Sequence, residues 1–496
     1  MVTLLRRFSI ILTAILLAFS SAAAYAQSIL QYHLSADRAG SYTVPGLSVE
    51  RARSMHLDKA FDGRVNGNVY AQPLLINQSG RELLIVATEN DVVDALDAQT
   101  GATVWQKKLS SPAISAMLPC GNIDPLGITG TPAIDESRHA IYLDAMIRSD
   151  NGPQHLIYGL SLDKGQVLSG FPVNVTQGLA SLGMRFIARD QNQRGALLIA
   201  HDTVYVPYGG HFGDCGDYHG WVVGISLDHP NRFVAWSTPS SGGGIWAPGG
   251  VVSDGHSIFV ATGNTFDTSE WGGGEAVIRF AYDLAPPKST RDYFVASNWR
   301  MLNRRDADLG GTAPVPINMS GASGAHHLMV ALGKDGKAYL LNRDDLGGIG
   351  GQLATLDVSN NEIRTAPTVY PSSDGGAFVA FPAKAVHCPA GTSNGSLVGL
   401  KIRANSSPAI SIAWCSELSG RGTPIVTTTD GHSNPIVWIT GAEGDDHLHA
   451  FRGDNGEPLL TIPQSRLPGL RHFGSVIATK GHIFVPADGK IFAFEP

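Results

Sequence analysis

The chain of 496 residues carries little charge, since Asp, Glu, Lys and Arg make up only 16% of it, against about 25% in an average soluble protein. Its 36 basic and 43 acidic residues give a formal net charge of −7, and no long basic run occurs. The composition therefore excludes the electrostatic signature of a nucleic-acid-binding protein. Disorder is also excluded, because 43% of the residues are hydrophobic and can build a large core.

Cysteine is scarce as well. The four cysteines include no adjacent pair, and the sequence has no Cys-x-x-Cys-His motif, so covalently attached c-type haem is not indicated. The His-Glu-x-x-His zinc motif and the phosphate-binding loop are also absent, which removes two common kinds of catalytic or nucleotide site.

The N-terminus is typical of an export signal. Arg6 and Arg7 precede a short apolar run over residues 10–19, and small residues follow as far as the triplet that ends at Ala26. This combination describes a cleavable signal peptide, and the run is too short for a permanent membrane span. We therefore expect residues 1–26 to be removed and the mature protein to be periplasmic or secreted.

Export favours disulfide bonds between the four cysteines, which are Cys120, Cys215, Cys388 and Cys415. Three pairings are possible. Proximity in the sequence favours Cys120–Cys215 and Cys388–Cys415.

A pattern of short apolar segments recurs along the chain. Residues 69–109 contain four such segments bounded by Gly, Asn or Asp, which is typical of an antiparallel meander. Many units open on a residue followed by proline: Gln72-Pro73, Thr131-Pro132, Ala247-Pro248, Ala313-Pro314, Ala366-Pro367 and Thr423-Pro424. Further starts fit at Arg194 and Phe473. Four-stranded repeats of about 50 residues indicate a β-propeller.

The repeats number seven complete units and an eighth that stops after its third strand. Residues 54–61 lie just before the first unit and can supply the missing outer strand, which would leave no open junction between the first and last blades. We predict an all-β, eight-bladed propeller of four-stranded antiparallel blades over residues 53–496, closed by N- and C-terminal strands, with seven blades as the alternative. Residues 27–52 form a lead-in segment, and we expect a monomer.

The segment from Ala95 to Trp105 (ALDAQTGATVW) resembles the tryptophan-docking motif of pyrroloquinoline quinone (PQQ) propellers. Asp97 can accept hydrogen bonds from the N–H groups of the turn, and Gly101 can take a positive φ there. Trp105 is expected to lie against the neighbouring blade and to bury a large apolar surface. Trp414 holds the comparable position in the sixth unit.

The mature chain also resembles a group of exported bacterial propellers with PQQ-like repeats, within the quinoprotein alcohol dehydrogenase-like superfamily. The likeness rests on segments such as ITGTPAID, SGGGIW and GKDGKAYLLNRD. That superfamily includes dehydrogenases and non-catalytic scaffolds. We favour a binding or scaffold protein, whose partner is a small molecule or an extracytoplasmic protein, because adjacent cysteines and haem attachment are lacking. The alternative is a PQQ- and calcium-dependent dehydrogenase that oxidises an alcohol or sugar.

Under the dehydrogenase alternative, the resemblance implies that Lys334 meets the quinone, where a cation could polarise a quinone oxygen. Lys334 could equally belong to a plain hairpin turn. Trp246 follows a glycine-rich stretch and is a candidate stacking platform. Asp217 and Asp335 are candidates for the base that takes the hydroxyl proton.

Three arginines, Arg364, Arg421 and Arg471, lie near the starts of predicted inner strands. We expect these cations to converge on one face and to attract an anion such as a carboxylated quinone or an acidic sugar. The alternative is that they are solvated or form salt bridges between blades.

A metal site is suggested by His211 and His219, which flank Cys215 at spacings of four residues. These residue types suit copper or zinc. The alternative is a loop that is held by a disulfide and carries solvated histidines.

Overall fold

The computed structural model describes residues 27–78, 80–266, 268–321, 324–390, 395–403, 407–460 and 465–496. Within them, eight β-sheets form from consecutive segments that pair as antiparallel neighbours. The eight-bladed propeller is therefore confirmed, and the seven-bladed alternative does not hold. The predicted signal peptide, residues 1–26, lies outside the described residues.

The first four blades run in chain order from the inner strand outwards. Blade 1 has Leu74–Gln78, Arg81–Thr88, Val92–Asp97 and Thr103–Lys108; blade 2 has Ala133–Asp135, Ala140–Ser149, Gly152–Ser161 and Val173–Asn174; blade 3 has Leu198–Ala200, Thr203–Gly210, Trp221–Ser226 and Phe233–Ser237; blade 4 has Val252–Ser253, Ile258–Thr262, Ala276–Phe280 and Tyr293–Val295. Gln191–Asn192 adds to blade 3, and Gly348–Ile349 adds to blade 4 in parallel.

The last four blades follow the same order. Blade 5 has Val315–Gly321, Gly324–Leu332, Lys337–Asn342 and Ala354–Asp357; blade 6 has Thr368–Pro371, Ala377–Pro382, Leu397–Arg403 and Ala409–Ser416; blade 7 has Ile425–Thr428, Ile436–Thr440 and Leu448–Arg452; blade 8 has Ile477–Thr479, His482–Ala487, Lys490–Glu495 and, from the N-terminal side, His56–Leu57. Gly63–Arg64 also pairs with the last strand of the chain.

The ring closes as predicted. His56 pairs with Glu495 and Leu57 with Phe494, so the outer strand of blade 8 comes from the N-terminal side of the chain. The middle strands are apolar along most of their length because both faces of a blade pack against its neighbours. Residues 140–147 of blade 2, for example, are all buried.

The tryptophan-docking motif folds as its chemistry predicts. The carboxylate of Asp97 accepts hydrogen bonds from the backbone N–H groups two and three residues on, and Gly101 has φ +77°. Trp105 Nε1 donates to Leu162 O of blade 2 at 2.8 Å. In blade 6, Trp414 Nε1 donates to Gly453 O at 3.0 Å, so each indole joins its own blade to the next.

The lead-in segment enters the central channel. Ile29 bridges to Leu75 of blade 1, and Ser41–Thr43 runs parallel to the inner strand of blade 7. Between these two points, hydrogen bonds reach the inner-strand backbones of blades 2, 4 and 6. The segment therefore closes the channel along the inner strands.

Among the residues that the structure describes, three α-helices and four 3-10 helices lie outside the blades. They are Val49–Arg53, Val175–Ser181 and Trp299–Arg305, and Ser115–Met117, Ala188–Asp190, Thr290–Asp292 and Leu309–Gly311. No helix in the described ranges is long and apolar enough to cross a membrane.

Both predicted disulfides are present. Cys120–Cys215 ties the connection between blades 1 and 2 to a loop of blade 3, and Cys388–Cys415 lies within blade 6. The predicted pairing is therefore confirmed.

Candidate functional site

A cavity of about 1640 Å³ opens at one end of the channel. Its wall is built from the connections between blades and from the loops between second and third strands, running from Asn122 round to Phe473. We call this cavity the cup. No described residue of the lead-in segment lines the cup; the segment contacts the inner strands and residues just before them.

Trp246, Asp308 and Lys334 meet at the cup, and we call these three residues the floor cluster. Asp308 Oδ2 accepts from Trp246 Nε1 at 3.0 Å and lies 2.7 Å from Lys334 Nζ. The lysine ammonium also lies 5.1 Å from the centroid of the Trp246 ring. An aromatic surface, a carboxylate and a cation thus adjoin one another on the wall of one cavity.

The chain brings these residues together through close backbone packing. Gly242, in the stretch before Trp246, has φ +84°, and a Cβ there would lie 2.6 Å from Asn264 O. Only glycine can occupy this position, and it allows the segment before Trp246 to pack directly against the loop of blade 4 that contains Asn264. Asn264 N in turn donates to Asp308 Oδ1 at 2.8 Å, which fixes the carboxylate.

The electrostatics of the floor cluster depend on a balance around Lys334. Burial lowers the pKa of this ammonium, but the nearby carboxylates of Asp308 and Asp306 outweigh burial and raise it overall. Lys334 Nζ lies 2.8 Å from Asp306 Oδ1. Lys334 therefore stays charged at neutral pH. Asp306 O, Asp306 Oδ1 and Asp308 Oδ2 already lie within hydrogen-bond distance of its Nζ, so it offers a ligand beside the indole its positive charge.

Glu275 is a buried residue whose carboxyl group contacts the backbone next to the floor cluster. Its Oε2 accepts from Leu309 N at 2.7 Å, next to Asp308. Burial, followed by the neighbouring Asp308 charge, raises the pKa of Glu275 well above its usual range. This carboxyl group therefore favours its neutral form more than a solvated glutamate does, and it anchors the connection between blades 4 and 5.

Arg194 is a second cation that contacts Trp246. Its Cζ is 5.4 Å from the Trp246 ring and 5.5 Å from the Phe473 ring. Within the described part of the chain, its guanidinium has no hydrogen bond or ion pair. Burial lowers its pKa to about 10, so the group remains charged at neutral pH.

The three predicted arginines have different surroundings. Arg364 and Arg421 line the cup, and Arg364 Nε lies 3.2 Å from Glu362 Oε2. Arg471 instead pairs with Asp488 and lies 5.2 Å from the Tyr70 ring. It is not among the residues that line the cup.

The two candidate carboxylates, Asp335 and Asp217, have different surroundings. Asp335 lines the cup, but its Oδ2 accepts from Tyr339 OH at 2.5 Å, and burial raises its pKa. Asp217 is 58% exposed and is not among the residues that line the cup. The carboxylate of the floor cluster is Asp308, which sequence reasoning missed.

The two predicted metal ligands, His211 and His219, have different hydrogen-bond partners. His211 lines the cup, with Nε2 3.0 Å from Arg189 O, and burial lowers its pKa to about 4. His219 Nδ1 lies 2.9 Å from Thr238 O. Across the described ranges, no group of three His, Cys, Asp or Glu residues could hold a metal ion.

Asp308 and Arg194 were missed for different reasons. Asp308 lies in an irregular connection after the helix Trp299–Arg305, where no repeat marks it. Arg194 begins the third unit, as Arg364 and Arg421 begin later ones. A search for arginines at the starts of the repeat units would therefore have found Arg194.

No family model and no curated protein sequence matches the chain, but solved structures do. The quinohemoprotein alcohol dehydrogenase from Comamonas testosteroni is 14% identical, with a TM-score of 0.64 over 94% of this chain and 80% of that one. A europium-containing methanol dehydrogenase is 13% identical, with a TM-score of 0.61 over 95% and 98%. BamB from Moraxella catarrhalis is 13% identical, with a TM-score of 0.50 over 89% and 100%.

At these identities the likeness establishes the fold alone. The chain has the PQQ-like propeller fold that the two dehydrogenases and BamB share. One fold carries many functions, so the function has to be argued from the cup.

Proposed function

We propose that this protein is an extracytoplasmic binding propeller whose cup holds a small planar molecule with a ring carbonyl against Trp246. The observation that carries this proposal is the floor cluster, in which Lys334 Nζ lies 5.1 Å from the centroid of the indole ring. A flat ring would stack on the indole, and the positive charge of the ammonium would attract its carbonyl oxygen. The two disulfides and the signal-like residues 1–26 support a location outside the cytoplasm.

The residues of the cup fit a quinone such as PQQ better than they fit its calcium ion. Trp246 supplies a platform, and Lys334, Arg364 and Arg421 supply positive charge. Calcium takes about 6–8 oxygen ligands. Both oxygens of Asp308, however, already accept from Asn264 N, Trp246 Nε1 and the Lys334 ammonium. The described residues therefore do not fit a calcium ion here.

The experiment is calorimetric titration of the purified protein with PQQ, with and without Ca²⁺, and with the neutral quinone 2-methyl-1,4-naphthoquinone. We expect binding of at least one quinone without any need for Ca²⁺. Trp246→Leu should weaken it about tenfold, because a good aromatic contact contributes about 0.5–1.5 kcal/mol. Trp271→Leu is the matched control, since this indole donates to Gly274 O away from the cup.

Two results would overturn the proposal: neither quinone binds, or Trp246→Leu binds as tightly as the unmodified protein. In either case the scaffold alternative, with a protein partner outside the cytoplasm, would take its place. Pull-down with the mature protein as bait would then be the next measurement.

A second candidate function is oxidation of an alcohol or sugar by the quinone-loaded protein. It is favoured by the contact of Asp308 with Lys334 beside the indole, because a carboxylate there could accept a hydroxyl proton. When bound, a quinone would supply the electron acceptor. Reduction of an artificial dye that depends on both alcohol and PQQ, and is lost in Asp308→Asn, would establish this activity. Dye reduction that is absent, or that persists in Asp308→Asn, would rule out this second function.

A further inference from the structure

A small side cavity adjoins the cup next to Arg194. Its volume is about 30 Å³, and its polar lining comes from Tyr70, Asn122, Thr129, Arg194 and His472. Arg194, Asn122 and His472 also line the cup, so the two spaces share a wall. The floor cluster contributes no residue to the side cavity.

The charge of Arg194 lacks a partner in the described structure. Its guanidinium contacts the Trp246 and Phe473 rings, which do not accept its hydrogen bonds in the manner of a carboxylate. After burial, the neighbouring groups act in both directions, since Tyr70 and Glu89 favour the charge of Arg194 and Arg364 opposes it. Arg194 is half-buried; a partly desolvated cation without an acceptor is destabilised, and a bound anion would remove part of that cost.

The other polar groups of the side cavity suit the same ligand. Asn122 has an amide N–H₂ and Tyr70 a hydroxyl, both able to donate. Thr129 contributes a hydroxyl, which lies next to the buried carboxyl group of Glu89. A guanidinium presents its N–H donors in a planar fork that matches two oxygens of one anion.

We propose that Arg194, with Asn122 and Thr129, forms a receptor for a carboxylate or another small oxyanion. A space of about 30 Å³ exceeds the roughly 10–15 Å³ that one water requires, so it suits a carboxylate head rather than a whole organic molecule. The anion is either free or attached to a molecule that lies in the cup. The receptor does not depend on a quinone binding at Trp246.

The test is calorimetric titration with acetate and with inorganic phosphate as free anions, and with benzene-1,3,5-tricarboxylate as a carboxylate attached to a ring. We expect at least one probe to bind with a Kd of about millimolar strength, as one charged hydrogen-bonding group allows. Arg194→Met should weaken this binding at least tenfold, and Arg194→Lys should restore part of it because it keeps the charge but loses the fork. Arg305→Met is the matched control, because Arg305 is an exposed arginine of the cup wall, and it should bind within twofold of the unmodified protein.

Thermal unfolding is a second measurement that distinguishes specific anion binding from a general effect of salt. The bound probe should raise the thermal unfolding midpoint of the unmodified protein and of Arg305→Met, but not that of Arg194→Met. If the free anions bind, the anion is captured by itself; if only the tricarboxylate binds, the carboxylate belongs to a molecule in the cup. No binding of any probe, or equal binding by Arg194→Met, would overturn the receptor. Binding of the neutral naphthoquinone is measured alongside, so the failure of the cup proposal and that of the receptor are separate results.

Discussion

Two arginines at the central channel show how its closed and open ends differ. Arg38 comes from the lead-in segment, is 1% exposed, and donates to the backbone carbonyls of Val251 and Leu197 at 2.7 and 2.8 Å. It also donates to Tyr32 O at 3.2 Å. Arg194, at the cup, has none of these acceptors in the described residues and contacts only aromatic rings.

The difference separates a structural cation from one suited to a ligand. Burial lowers the pKa of both guanidinium groups to about 10, so both remain charged at neutral pH. Arg38 recovers the cost of burial through hydrogen bonds that tie blades 3 and 4 to the lead-in segment. Arg194 makes such hydrogen bonds only when a bound ligand supplies the oxygen acceptors. The closed end therefore holds the ring together, and the open end is free for recognition.

The largest expected effect comes from exchanging each arginine for methionine. Arg38→Met leaves several buried carbonyls without donors, so it should lower the free energy of unfolding by about 4 kcal/mol or more. Arg194→Met removes a cation without a partner and should leave stability unchanged or slightly higher. Urea unfolding of both variants checks this prediction. If the two variants lost the same free energy of unfolding, the two arginines would not differ in structural role, and the contrast between the two ends of the channel would be wrong.

A carboxyl group near the open end gives the next prediction. Glu89 is wholly buried, and burial raises its pKa from 4.5 to about 7. Between pH 4.5 and 7 the folded protein keeps a proton that the unfolded chain releases, so stability is full below pH 4.5 and falls as the pH rises towards 7. The loss should reach about 3 kcal/mol at most.

Glu89→Gln should lack this part of the pH dependence while it retains a group beside Gly127 N, which lies 2.8 Å from Glu89 Oε2. The measurement is the urea midpoint of both proteins at several values between pH 4.5 and 7. Parallel profiles for the two proteins would show that Glu89 does not retain its proton on folding.

The blades were predictable because their causes are local. Alternation of apolar segments, turn residues such as Asp97 and Gly101, and one large indole at Trp105 act over a few residues or between neighbouring units. The closing strand at His56–Leu57 was predictable because the eighth unit ended early beside an unassigned segment. These features repeat, so each unit supports the interpretation of the others.

The closed end and the floor cluster were not predictable in the same way. The position of Arg38 depends on carbonyls more than 150 residues away in sequence, and no local pattern encodes such contacts. Asp308 lies in an irregular connection, whereas Lys334 lies in a turn that any blade could use. Lys334 was nevertheless identified from the family resemblance and Trp246 from its place after a glycine-rich stretch, and both line the cup.

The smallest expected effect concerns the backbone of the closed end. Gly40 has φ +65°, and a Cβ there would lie 2.8 Å from the ring of the buried His33. Gly40→Ala should therefore cost about 2 kcal/mol, from the left-handed conformation and from displacement of that ring. Gly255→Ala is the control for conformation alone, because Gly255 has φ +89° and nothing lies within 4 Å of its added Cβ; it should cost about 1 kcal/mol. The difference between the two urea midpoints measures how tightly the lead-in segment is packed in the channel. A difference of zero would mean that the lead-in segment yields around His33.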